Sequence, residues 1–83
     1  MRLARHVKFR EEKFGGVLFE TRSEKVYTLT PTAAAIVGEI AAGRSSGEIG
    51  PSLAQRYQAD EGTVEREVHA FLADLRDKGL VED

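Results

Sequence analysis

The side chains that could do chemistry are few and scattered. His6 and His69 are the only histidines and lie far apart in the sequence. A zinc site needs clustered imidazole or thiolate ligands, and the chain has no cysteine. His69 falls on the exposed flank of an expected helix. Ser45 and Ser46 are adjacent hydroxyls, but a nucleophile needs a positioned base beside it. A helix cap explains them better, because Glu48 follows Ser45 at the spacing of a capping box. Gly15-Gly16 is no phosphate loop: no Lys-Ser or Lys-Thr follows, and no helix opens behind it. Glu11-Glu12 and the acids of the last helix read as solvated faces. Tyr27 and Phe71 read as core or half-core residues. The residues therefore predict no catalytic group, no cofactor and no metal site.

Composition points the same way. Eighty-three residues make one small domain, 1–83, with a modest core. At 41% hydrophobic and 31% charged, the chain is too apolar to be disordered. No apolar run approaches the length of a membrane span. Met1 to Arg10 has basic residues without an apolar stretch behind them, so it is no signal peptide. The lack of cysteine suits the cytoplasm. A net charge of −2 argues against general nucleic-acid binding, where phosphate neutralisation supplies most of the affinity.

The elements that must carry any site follow from periodicity. Val7 to Glu12 alternates apolar and polar residues, as a half-buried strand does. Lys13-Phe14-Gly15-Gly16 reads as a tight turn, since glycine accepts positive φ. Gly16 to Glu20 is a second strand, apolar on both faces at Val17, Leu18 and Phe19. Thr21 to Glu24 is a polar connection, and Lys25 to Leu29 is a third strand. The simplest arrangement is an antiparallel meander with the third strand at an edge. Thr30 then caps a helix with Pro31 at its first position, carrying Ile36, Val37 and Ile40 and ending near Gly43. A second helix carries Ile49, Leu53 and Tyr57 and begins at Ser46 or at Pro51. Asp60 caps the third, Glu61 to about Lys78, with Val64, Val68, Phe71, Leu72 and Leu75 at helical spacing. Gly79 ends it, and Leu80 and Val81 return to the core.

Two short helices before a longer one can also form a winged-helix DNA reader, with Ala59-Asp60 in the turn. Recognition helices present Arg, Lys, Asn or Gln near their N-termini. Here Asp60, Glu61 and Glu65 would face phosphates, and Arg66 is the one base in the first two turns. The duplex-DNA regulator is the alternative reading, and a plain interaction domain using the same edge is a third.

Taken in order, "VKFREEKFGGVLFE" (Val7 to Glu20), "VYTLTPTAAAIV" (Val26 to Val37), the Gly43 turn, Ile49, Leu53 and Tyr57, and "VEREVHAFLADLRDKGLV" (Val64 to Val81) resemble the PqqD-like family. Those proteins recognise precursor peptides of ribosomal-peptide modification systems. Thr30 and Ala33 depart from the Asn and Gly common there, and Pro51 interrupts the second helix. The resemblance implies an α+β, winged-helix-like fold: an N-terminal three-stranded antiparallel sheet, then three helices. It implies a non-catalytic adaptor that binds a leader peptide and presents it to a modifying enzyme, often a radical SAM enzyme, with neither nucleic acid nor membrane as partner. The leader would add as a strand beside Lys25, Val26, Tyr27, Thr28 and Leu29. The helix wall is expected from Glu65, His69, Leu72 and Arg76, with Ala70 and Asp74 on the opposite flank as the alternative. A monomer is favoured over a dimer.

Overall fold

The computed structural model describes residues 1–82. The elements in order are β1 (Arg2–Leu3), β2 (Val7–Glu12), β3 (Gly15–Glu20), β4 (Lys25–Leu29), α1 (Pro31–Ala41), α2 (Ser46–Tyr57), α3 (Glu61–Asp77) and β5 (Val81–Glu82). The fold is α+β, as expected: an antiparallel sheet in the order β2-β3-β4, followed by three helices. A second, two-stranded sheet joins β1 to β5 through Arg2↔Glu82 and Leu3↔Val81. Strands this short carry no readable alternation, and their pairing links opposite ends of the chain.

The β2–β3 turn is held by a glycine. Gly15 has φ +142, and a Cβ there would lie 2.2 Å from the Leu29 carbonyl oxygen and 2.7 Å from the Thr30 carbonyl carbon. The turn thus presses on the junction between β4 and α1, and only glycine permits that approach. In the β3–β4 loop the Glu20 carboxylate accepts the Arg22 and Ser23 backbone N–H groups at 2.8 and 3.2 Å. Hydrogen bonding from the Ser23 hydroxyl, then from these amides, and the nearby His6 hold its carboxyl below the usual range.

The helix ends follow local rules. Thr30 accepts the Ala33 N–H at 3.2 Å and Asp60 accepts the Thr63 N–H at 2.9 Å. Glu48 accepts the Ser45 N–H at 2.8 Å, so α2 starts at Ser46 and carries Pro51 inside it. Pro51 forfeits one early backbone bond, and the capped first turn offsets this. Gly43 and Gly79 have positive φ just past α1 and α3, the conformation that ends helices.

One face of the sheet packs on α1 through Leu18, with Ile36, Val37 and Ile40 behind it, and Ile49, Leu53, Leu80 and Val81 complete the core. Tyr57, at the end of α2, is 49% exposed. Glu39 is buried among them and fully satisfied: Arg44 Nε donates at 2.6 Å, Ser52 Oγ at 2.9 Å and Arg56 Nη2 at 3.1 Å. Its carboxylate ties α1 to α2 at the bottom of a cleft, and a buried charge left without those donors would be costly. On α3 the buried residues are Val68, Leu72 and Leu75, while Val64 and Phe71 are half-buried. The buried stripe is therefore turned toward Leu72 relative to the expected arc.

Candidate strand-edge site

β4 is hydrogen-bonded on one side only. It pairs with β3 through Gly16↔Leu29, Val17↔Thr28, Leu18↔Tyr27, Phe19↔Val26 and Glu20↔Lys25, and no described strand pairs with its other side. Side chains alternate across a sheet, and Leu18 is fully buried. Its pair Tyr27 therefore faces the helices with Leu29, and Val26 and Thr28 face outward. Leu29 belongs to the core, Tyr27 is half-buried, and Lys25, Val26 and Thr28 are exposed.

Contacts at its two ends place α3 among its neighbours. Lys78 donates to Asp74 Oδ1 at 2.5 Å. That bond, and to a lesser degree the proximity of Tyr27, raises the Lys78 pKa above its ordinary value. At the other end Thr32 and Ile36 of α1 share a depression of about 170 Å³ with Val64, Glu67 and Val68 of α3. The C-terminal end of α3 thus comes near Tyr27 of β4, and its N-terminal part lies beside Thr32 and Ile36 of α1 and Leu53 and Tyr57 of α2. Tyr27 and Phe71 are both half-buried against the core, and the Lys78–Asp74 ion pair stands at the Tyr27 end of α3.

The residues expected in the helix wall have different surroundings. Leu72 is 2% exposed and packs in the core. Glu65 lies against α2, where its Cγ would be 2.9 Å from a Cβ on Gly50. His69 and Arg76 are exposed and share the Glu65 flank by helical spacing. Asp74 of the alternative flank bonds Lys78, and Ala70 is exposed. Val68, Leu72 and Leu75 form the buried stripe of α3, with Phe71 half-buried and Lys78 exposed beside it.

The remaining candidates have structural surroundings. His6 Nε2 lies 3.1 Å from Arg22 Nη2 and 3.7 Å from Glu20, beside the β3–β4 loop. Thr21 donates its N–H and hydroxyl to the His6 carbonyl at 2.8 and 2.9 Å. No cluster of potential metal ligands occurs among the described residues, and none of the described helices is long and apolar enough to cross a membrane.

A three-stranded antiparallel sheet with β4 at one edge, followed by three helices, defines a small, winged-helix-like α+β domain. The chain belongs to the PqqD family: residues 15–81 match the family described as Coenzyme PQQ synthesis protein D. No curated protein matches it. Among solved structures it is similar to TbiB1 in complex with the TbiA(beta) leader peptide, at 26% identity and a TM-score of 0.90, covering 99% of this chain and 95% of that one. It is similar also to a lasso peptide synthetase B1 complexed with the leader peptide, at 27% identity and a TM-score of 0.85, covering 99% and 96% of the two chains.

Proposed function

We propose that this protein is a non-catalytic adaptor that binds the leader of a ribosomally made precursor peptide and presents it to a peptide-modifying enzyme, with a radical SAM enzyme the expected partner. The observation that carries the reading is the unpaired, nearly uncharged edge of β4. Open edges invite aggregation and are usually blunted, so one left open suits a peptide that completes the sheet. The two similar structures are both leader-peptide complexes. The leader strand would lie along Lys25 to Leu29, with alternate side chains entering the trough lined by Tyr27, Phe71, Asp74 and Lys78.

Magnitudes fit this role. Four to six ladder bonds contribute about 1 kcal/mol each, and one or two apolar anchors about 1.5–3 kcal/mol each. Ordering the peptide costs about 2–5 kcal/mol, and association costs more. The balance is roughly micromolar affinity. DNA reading is disfavoured by the same helix: α3 opens with Glu61 and Glu65 exposed.

The test is an amide NMR titration of the labelled protein with precursor leader peptides encoded beside it, and with duplex DNA as control. Shifts confined to Lys25–Leu29 and the Phe71 flank of α3, with peptide alone, are expected. Shifts with DNA alone would overturn the proposal.

A further inference from the structure

A cleft of about 520 Å³ opens between the β2–β3 turn, α1 and α2, and it shares no residue with β4. Its floor holds the buried Glu39 carboxylate, to which Arg44 Nε, Ser52 Oγ and Arg56 Nη2 donate. The two arginine side chains are half exposed, at 50% and 53%. A guanidinium has five N–H donors. Each of these spends one on Glu39, and neither side chain has a second hydrogen-bond acceptor among the described residues. Glu39 thus answers only one of their two charges. Glu48 lies near Arg44 but accepts from Ser45. On the opposite wall Glu12 pairs with Arg10, and Lys13 stands beside Glu11.

The α1 side of the cleft is built from small residues: Ala34, Gly38 and Ala42 recur every fourth position. Gly38 sits inside the helix, where glycine is unfavourable. A Cβ there would meet nothing within 4 Å, whereas one on Gly16 or Gly50 would meet a side chain at 2.9 Å. No neighbour in the fold needs the space above Gly38, and its missing side chain keeps the cleft open. The half-exposed Tyr57 also borders it. A buried acid therefore fixes two guanidinium forks at the base of an open cleft, with unused N–H groups on both. Such forks match a carboxylate, which they bind bidentately. We propose that this cleft binds a peptide carboxylate, at a chain end or on an acidic side chain, with Arg44 and Arg56 as its anchors. The Ala34–Gly38–Ala42 strip seats the adjoining apolar residue. The site does not depend on the adaptor reading above: it would give the chain an anion anchor beside α1 in addition to the strand edge at β4.

The test titrates the isotope-labelled full chain with three probes: acetyl-Ala-Leu with a free carboxylate, the same peptide as its C-terminal amide, and acetyl-Ala-Glu amide. The side-chain Nε–H NMR signals of Arg44 and Arg56 report on the site directly. A carboxylate probe should shift both signals saturably, with half-saturation at about 1 mM in low salt. The amide of acetyl-Ala-Leu should not. Whichever carboxylate saturates at the lower concentration tells a chain end from an acidic side chain. Gly38→Leu fills the cleft without touching the donors of Glu39. It should abolish the shifts while the melting temperature holds or rises, since leucine suits a helix better than glycine. Arg56→Gln leaves Arg44 and Ser52 on Glu39 and should weaken binding about tenfold, the scale of one lost charge-assisted bond. Equal shifts with the acetyl-Ala-Leu amide, no saturable shift with either carboxylate, or unchanged binding in both variants would overturn the proposal.

Discussion

β2 and β4 are the two edges of the same three-stranded sheet, and the chain treats them differently. β2, VKFREE, carries Lys8, Arg10, Glu11 and Glu12, and Arg10 pairs with Glu12 along the strand. Charges on an edge keep other chains from adding to it. β4, KVYTL, has one charge, at its first residue, and then Val26, Tyr27, Thr28 and Leu29. A sheet built only for stability would blunt both edges. The asymmetry is the feature on which the proposed peptide site at β4 rests.

The largest effect is expected where both edges are anchored. Gly15→Ala forces a Cβ into the Leu29–Thr30 backbone and should cost about 3 kcal/mol or more, read as a lower urea midpoint. Loss of less than about 1 kcal/mol would show that the β4–α1 junction yields easily. Making β4 resemble β2 breaks the comparison directly. The pair Val26→Lys and Thr28→Glu lies on exposed positions, so stability should change by less than about 1 kcal/mol. Leader affinity, measured by calorimetry, should nevertheless fall about tenfold or more. Leu29 is unsuitable for such a test because it is a core residue, 6% exposed. Phe71→Ala sharpens the assignment of the helical wall: about a tenfold loss is expected, the scale of one half-lost apolar anchor. Glu65→Ala, on the flank against α2, should leave leader affinity within about twofold. The reverse order of these two would return the groove to the Glu65 flank.

The smallest effect is on pH dependence. Glu20, Glu48 and Asp60 all have carboxyl pKa values below their ordinary ones, through hydrogen bonds from Ser23, Ser45 and Thr63 respectively. A depressed folded-state value means the ionised form binds the fold more tightly, so the stabilisation is present above the ordinary carboxylate range. It is lost as pH falls through the depressed values. Thermal melts from neutral to about pH 2 should show this decline, weaker in Asp60→Asn. The same range should leave the Lys25–Leu29 edge itself unchanged, since no carboxylate lies on it.

The parts legible in the sequence were those set by local chemistry. Alternation marked the strands, Thr30 and Asp60 marked helix starts, and Gly43 and Gly79 marked helix ends. What escaped was long-range. β1 and β5 are too short to show a pattern and meet only in the folded chain. Glu39 reads as one acid on a helix, because Ser52 and Arg56, which help satisfy it, come from a different helix. The rotation of α3 was missed because Phe71 and Leu72 are neighbours of similar hydrophobicity. Which of them turns inward is set by long-range packing, including the close approach of Gly50 on α2 to Glu65. That one rotation buries Leu72 and leaves Phe71 half-buried, while β4 lies at the sheet edge expected of it.

The pairing of Arg2 with Glu82 has a consequence of its own. Antiparallel partners sit about 5 Å apart, so the chain enters and leaves the fold at one point. A fold with adjacent ends can be spliced into a loop of a larger host protein without stretching either, or closed by a short linker and opened elsewhere. Its open strand edge would then travel with it as a transplantable receptor for peptide.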